Sequence, residues 1–397
     1  MAPSLFNLYA CVVAERWMEA VEGDEDIGTR LLYKLDQQLF RRYTRNASEL
    51  LVHKGEFADD VVLLASTRHG AETAIRAYSD VARAFGLTVS LQKTKFMVVG
   101  HGVSDEDQLP LSLGGADAIQ RVNSFPYLGS LVSQDGRSHE EVDQRIAQAS
   151  KAFGALRRAV FKDNNLSIKT KRAVYQACVL SVLLYGSECW VPLRRDIKRL
   201  NAFHHRCIRS ILGITNEKQW IERISSQMVR EQWGDFESIG IKLMRRRLEW
   251  LGHLARMPQY RLPKLCLFGW LPAVRPFKGP RRRWRDQVRK DMEAVGCYNK
   301  QWFRDAQDRC KWRDTWNQPL QDLQLAHDER RAQAVKEIEC QTCGRFFRRQ
   351  SDKVRHKCIE ERRKPVNEQS GAVQCMICNR WFRSKGGLAV HRCTPNQ

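Results

Sequence analysis

No stretch of this 397-residue sequence stays apolar for the roughly 20 residues that a helix needs to cross a bilayer. The opening Met1-Ala2-Pro3-Ser4 places no basic segment ahead of an apolar core, so no secretory leader is expected. Carboxylates are scarce: 45 Asp and Glu face 67 Lys and Arg, a net charge of +22. That shortage points to a polyanionic partner, nucleic acid first. The 13 cysteines are an odd number with no small secreted framework around them, which predicts a reducing compartment with some thiols used for metal. Disorder throughout is excluded by a hydrophobic fraction of 43%. The length suffices for two or three domains.

The charge is uneven. Residues 1–100 hold 12 basic and 13 acidic side chains, whereas 240–290 hold 15 and 2, and 331–397 hold 15 and 6. The front therefore reads as a neutral, core-forming unit and the back as the electrostatic footprint. A solvated helix face is the bland alternative for each basic run.

Ser4–Val21 reads as a buried helix through Leu5, Leu8, Val12, Val13 and Trp17, followed by the polar Glu22–Asp26. Leu50–Val52 and Val61–Leu64 are predicted strands around a tight connection from Lys54-Gly55 to Asp60, Ala71–Phe85 a helix stopped by Gly86, and Phe96–Val99 a buried strand. Phe125–Val132 is apolar and β-rich, closed by Gln134-Asp135-Gly136. Beyond Ser138 the periodicity turns helical. Its stripes are Ile146/Ala149/Phe153/Leu156/Val160, Ala173/Val174/Ala177/Leu180/Leu184, Ile241/Met244/Leu248/Leu251 and Trp284/Val288/Met292. Nine Trp between Trp190 and Trp316 could stack on bases, but helical core is the preferred reading. His204-His205 reads as helix surface, and Cys178, Cys189, Cys207, Cys266, Cys297 and Cys310 as buried thiols. Arg245, Arg246, Arg247, Arg281, Arg282 and Arg283 are the candidate phosphate contacts of this region.

The tail is an internal repeat. Cys340, Cys343, His356 and Cys358 recur as Cys375, Cys378, His391 and Cys393, offset by 35 residues at every position. Three thiolates and one imidazole in this spacing suit tetrahedral zinc, one ion per repeat. Phe346-Phe347 and Trp381-Phe382 supply each repeat with a small core, and Arg345, Arg348, Arg380 and Arg383 favour phosphate contacts. One residue between the last two ligands cannot place both on one helical face, so Cys358 and Cys393 are expected just past a helix end. Protein binding by the fingers is the alternative.

At the front, Asp59 and Asp60 sit side by side between Phe57-Ala58 and Val61–Leu64. Burying like charges together is costly unless a cation neutralises them, and Mg²⁺ on paired carboxylates is the mount for phosphoryl transfer. A simple turn is the competing reading of the pair alone. The wider pattern resembles the reverse transcriptases of non-LTR (LINE-type) retrotransposons. Phe57–Asp60 resembles their aromatic-Ala-Asp-Asp motif, and Gly86–Thr94 the next palm motif, with Ser90 where Asn is usual. Phe125-Pro126-Tyr127-Leu128-Gly129 resembles the primer grip. Met1–Asn7, Leu183–Gly186, Trp250–His253 and Arg281–Asp286 resemble flanking segments in the same order.

The resemblance implies an α+β architecture: an incomplete palm with its primer-grip hairpin over 1–137, a helical thumb over 138–235, a basic helical extension over 236–316, a linker over 317–337 and two zinc fingers over 338–397. It implies RNA-directed DNA synthesis at a nicked target. Asp59 and Asp60 would bind Mg²⁺, Lys93 would assist the leaving pyrophosphate, and Phe125, Tyr127, Leu128 and Gly129 would hold the primer end. RNA and DNA are the implied partners, along with a polymerase or endonuclease portion encoded upstream, and the nucleus is the favoured location. The family also uses an upstream metal-binding Asp that this sequence lacks. Phe6, Leu8 and Val61 are therefore expected to lack a packing surface, and the chain is expected to be a C-terminal fragment nearly inactive alone. The alternatives are a non-catalytic zinc-finger nucleic-acid-binding protein, or the product of a decayed element with no cellular role.

Overall fold

The computed structural model describes residues 2–34, 47–99, 109–114, 117–222, 224–234, 236–272, 283–334, 338–339, 346–347, 373–374 and 381–382. It mixes helix and sheet and divides into two compact units, Met1–Leu325 and Ala326–Gln397.

The first unit opens with α1 (Ala2–Ala20), and β1 (Thr29–Tyr33) pairs antiparallel with β2 (Ser48–Val52). Val13 and Trp17 of α1 are buried, but Leu5 and Leu8 are 63% and 66% exposed and Phe6 38%. Helix α1 thus buries only one edge, which corrects the fully buried helix and agrees with an unpartnered Phe6 and Leu8. The expected connection after β2 is itself a strand: β3 (Lys54–Phe57) and β4 (Asp60–Leu63) form a hairpin closed by Ala58-Asp59. Helix α2 (Arg68–Ala84) starts where the Thr67 hydroxyl accepts from the Gly70 amide and stops at Gly86, whose φ of +71° only glycine adopts readily. Phe96–Val99 makes a single parallel bridge from Phe96 to Arg121 in place of the predicted strand, and Val99 is 65% exposed. The pairs β5 (Leu111–Gly114) with β6 (Asp117–Ile119) and β7 (Ser124–Tyr127) with β8 (Ser130–Ser133) complete the front.

Helices follow. α3 (His139–Leu156) continues as a π-helical turn over Arg157–Phe161, and α4 (Ile168–Tyr175) as another over Gln176–Leu180 before α5 (Ser181–Leu183). Of the predicted stripe, Leu180 and Leu184 are buried and Val174 packs against the core, whereas Ala173 and Ala177 face solvent and Tyr175, Val179 and Leu183, four residues apart, fill the core in their place. α6 (Arg194–Ile211) and α8 (Ser226–Trp233) enclose this core with Leu200, Phe203, Ile208 and Trp233, and the short α7 (Asn216–Ile221) connects them.

Helix α9 (Ile239–Arg256) serves two cores. Ile239 and Leu243 close this first helical core, whereas Leu248, Leu251 and Leu254 begin the next, shared with α11 (Trp284–Ala294), α12 (Trp302–Asp305) and α13 (Arg309–Ala334). The boundary expected after residue 235 therefore falls beside a helix common to both sides. Between α9 and α11, α10 (Leu262–Phe268) leads into β9 (Gly269–Trp270), which pairs with β1 and extends the front sheet to β2-β1-β9. The expected linker from Asn317 is helical to Ala334, and Leu320 and Gln324 are buried on the core side. Trp190, Trp233, Trp302, Trp312 and Trp316 are all buried, as the core reading of the tryptophans anticipates.

In the second unit, β10 (Ile338–Glu339) pairs with β11 (Phe346–Phe347), and β12 (Val373–Gln374) with β13 (Trp381–Phe382).

Candidate functional site

The Asp59–Asp60 pair occupies the tip of the β3–β4 hairpin. Phe57 and Asp60 are the closing pair, and Ala58 takes a φ of +55°. A two-residue loop of this hand matches the twist of its strands. Both carboxylates are exposed, so solvent already screens the repulsion that burial would have made costly.

The second hairpin, β7–β8, turns at Leu128-Gly129 with both residues at positive φ, +47° and +79°. Its Tyr127 hydroxyl is raised above its ordinary value, first by burial and then by the charge of Asp60. The two hairpins that the sequence flagged separately, at Asp59–Asp60 and at Phe125–Gly129, therefore share one electrostatic neighbourhood. Lys93 is exposed in a turn where the Lys93 amide and the Thr94 hydroxyl both bond the Ser90 carbonyl, at 3.1 and 2.8 Å.

Asp59 and Asp60 supply carboxylate oxygens of the hardness that Mg²⁺ prefers. Among the described residues no group of three or more His, Cys, Asp or Glu gathers to hold a metal. The pair alone thus fits a partial mount. All eight predicted zinc ligands, Cys340, Cys343, His356, Cys358, Cys375, Cys378, His391 and Cys393, lie outside the described residues, as do Arg345, Arg348, Arg380, Arg383, Arg281 and Arg282. What is described around them repeats faithfully. Ile338 opposes Phe347 as Val373 opposes Phe382, and Glu339 opposes Phe346 as Gln374 opposes Trp381. In the sequence, each Cys-x2-Cys segment lies between the two strands of such a pair.

The Arg245–Arg247 run is largely consumed within the fold. Arg247 is 4% exposed and bonds Asp291 at 2.6 Å, which removes it from the candidate phosphate contacts. Arg245 bonds Glu237 at 2.7 Å and Asn317 at 2.7 Å, and Arg246 bonds the Leu184 carbonyl at 2.6 Å. Burial alone would raise the Glu237 carboxyl, but bonds from Arg245 and Lys242 outweigh it and hold the group below its usual range. Of the second arginine run only Arg283 is described, and it is exposed. His204 is 2% exposed, its Nδ1 2.8 Å from the Tyr175 hydroxyl, which corrects the surface reading. Cys207 and Cys297 are buried as expected, whereas Cys178, Cys189, Cys266 and Cys310 are exposed.

A basic face escaped the sequence reading. From Gln144 to Ser187 the only carboxylate is Asp163, against eight Lys and Arg. Lys151, Arg158 and Lys162 are all exposed along α3 and the π turn that ends it. Counting charge over 40-residue windows, rather than looking for runs of arginine, would have found it.

Compared with known proteins, the chain is 26% identical over 266 residues to a transposon-derived protein of Caenorhabditis elegans, an overlap of 64% of this chain and 92% of that protein. A transposon-related origin fits. No known family profile matches the chain, and no solved structure matches it. Among the described residues no helix is long and apolar enough to cross a membrane.

Proposed function

We propose that this transposon-related chain is the C-terminal part of a reverse transcriptase of the non-LTR type, which holds a primer–template on its front hairpins and nucleic acid on its basic face and zinc-finger tail. The observation that carries the reading is geometric: Asp59 and Asp60 stand exposed at the tip of one two-residue hairpin, and Leu128-Gly129 turn a second one. The order of the motifs along the sequence supports it. Asp59 and Asp60 would hold Mg²⁺, which when bound neutralises phosphate oxygens. Phe125, Tyr127, Leu128 and Gly129 would orient the primer end, and exposed Lys93 would deliver a proton to the departing pyrophosphate. Lys151, Arg158, Lys162 and Arg283, with Arg345, Arg348, Arg380 and Arg383 of the tail, would contact phosphates. Each phosphate neutralised on a duplex steepens the salt dependence of binding by about 0.9 log units. With no third carboxylate beside Asp59 and Asp60 among the described residues, polymerisation would need one from a segment or chain outside this sequence.

The test is a primer–template carrying a photoreactive group at the primer 3′ end, mixed with the full chain and Mg²⁺. Crosslinks within Phe125–Gly129 and no extension are the expected result. Extension that vanishes in Asp59→Ala would mean the metal site is completed within the chain. Crosslinks confined to the tail would discard the polymerase reading. They would leave a nucleic-acid-binding protein built on two zinc fingers, the reading favoured by the matching register of the β10–β11 and β12–β13 pairs.

A further inference from the structure

A hairpin of four residues per strand is marginal by itself and needs packing from outside. In β7–β8 the tip is the part held most tightly. The Leu128 carbonyl accepts from the Tyr185 hydroxyl at 3.0 Å, and the Gly129 carbonyl accepts from the Arg145 guanidinium. The Leu131 amide donates to the Glu141 carboxylate at 2.6 Å. Glu141 and Arg145 lie one turn apart on α3, bonded at 2.7 Å and 3% and 4% exposed. The Arg145 guanidinium also stands 4.6 Å above the Tyr185 ring. Next to Tyr185, Gly186 has a φ of +67°, and a Cβ there would lie 2.8 Å from the Ser130 hydroxyl. The receptacle is braced from behind. Arg246 bonds the Leu184 carbonyl, and the Glu188 carbonyl accepts the Trp284 indole at 2.6 Å.

A buried ion pair adds little net stability over an apolar pair, and its best-attested use is to fix an arrangement. Here each partner directs a remaining polar atom at hairpin backbone: Arg145 through Nη2, Glu141 through Oε2. An apolar pair would serve α3 equally well and leave the hairpin loose. The segments Tyr127–Gly129, Leu183–Gly186 and Trp284, far apart in sequence, thereby become one chain of contacts.

We propose that Glu141, Arg145 and Tyr185 are positioning residues that fix the Leu128-Gly129 turn of the Phe125–Gly129 hairpin on α3 and the Leu183–Gly186 segment. In its functional sense, the placing of a primer end, this rests on the polymerase reading; the geometry itself does not.

The experiment places 3-fluorotyrosine at position 127 of the full chain and follows its ¹⁹F resonance with pH, alongside hydrogen exchange of Ser130–Ser133. Tyr127 should titrate above free fluorotyrosine in the parent chain and lower in Asp60→Asn. In Tyr185→Phe and Arg145→Gln it should fall toward the free value. Exchange of Ser130–Ser133 should quicken about fivefold for the single hydrogen bond lost in Tyr185→Phe. Arg145→Lys, which keeps a donor, should recover part of both. Tyr185→Phe retains the ring under Arg145 and decides the matter should Arg145→Gln fail to fold. An unchanged Tyr127 and unchanged exchange in Tyr185→Phe overturn the proposal. With the photoreactive primer, loss of crosslinks at Phe125–Gly129 in Tyr185→Phe extends support to primer placement. Absence of those crosslinks in the parent chain, with Tyr127 still moved by Tyr185→Phe, sinks the polymerase reading and leaves the positioning standing.

Discussion

At Gly252 a single hydrogen atom decides a packing contact. A Cβ there would lie 2.4 Å from Trp312, whose indole donates to the Leu248 carbonyl at 2.8 Å. Gly252→Ala should therefore destabilise the chain by about 1–3 kcal/mol in chemical denaturation, the usual cost of overpacking. His204 makes a second prediction. Burial, with Lys242 and His205 nearby, lowers its pKa from an ordinary 6.5 to about 3, so the folded chain holds the ring neutral. The unfolded chain binds a proton that the folded chain refuses between those values. Stability is thus complete above about 6.5 and declines as pH falls toward 3. Denaturant midpoints at pH 7.5 and 4.5 should drop less in His204→Gln than in the parent. The motif Gly252-His253 and the doublet His204-His205 were both legible as sequence; that one presents a notch and the other a buried hydrogen bond was not. Periodicity reports which face a residue shares, not what stands opposite.

Helix α9 illustrates the next scale up. Its first turn is capped by Ser238, with the Ile239 amide donating to Asn201 at 3.1 Å. Its last carbonyls are met by Lys264, whose ammonium bonds Ala255 and Met257 at 2.8 and 2.7 Å while 6% exposed. Lys264→Met removes the Met257 carbonyl's side-chain donor and leaves Ala255 with the Gln307 amide at 3.3 Å, and should cost about 1–3 kcal/mol, read as a lower unfolding midpoint. At the Asp59 hairpin, Ala58 holds a φ that glycine adopts freely, so Ala58→Gly should leave stability level or raise it by up to about 1 kcal/mol. The apolar stripe of α9 was plain in the sequence. The stripe of α4 was partly right: Leu180 and Leu184 are buried as read, but Ala173 and Ala177 face solvent while Tyr175, Val179 and Leu183 fill the core. The basic runs misled in the same way: a lysine or arginine on paper carries no sign of whether Glu237 or Asp291 lies beside it.

For the whole molecule, the two units should part cleanly. Ending the chain after Ala334, where α13 stops, should preserve the unfolding midpoint of the first unit, while the salt dependence of nucleic-acid binding becomes shallower by the phosphates the tail neutralised. Metal analysis should find about two zinc ions per chain, from the duplicated ligand set, and a chelator should release them without lowering the first unit's midpoint. The sequence by itself determined the repeat in the tail, the charge asymmetry, the order of the front motifs and most helix faces, because spacing and composition are local properties. Only the tertiary structure decided that β9 joins β1 across more than 200 residues, that α9 belongs to two cores, that Arg247 is spent on Asp291, and that Glu141, Arg145 and Tyr185 converge on the Leu128-Gly129 turn. Each of these is a contact between distant segments, and its partner is chosen by packing and desolvation in the folded chain rather than by any neighbour in sequence.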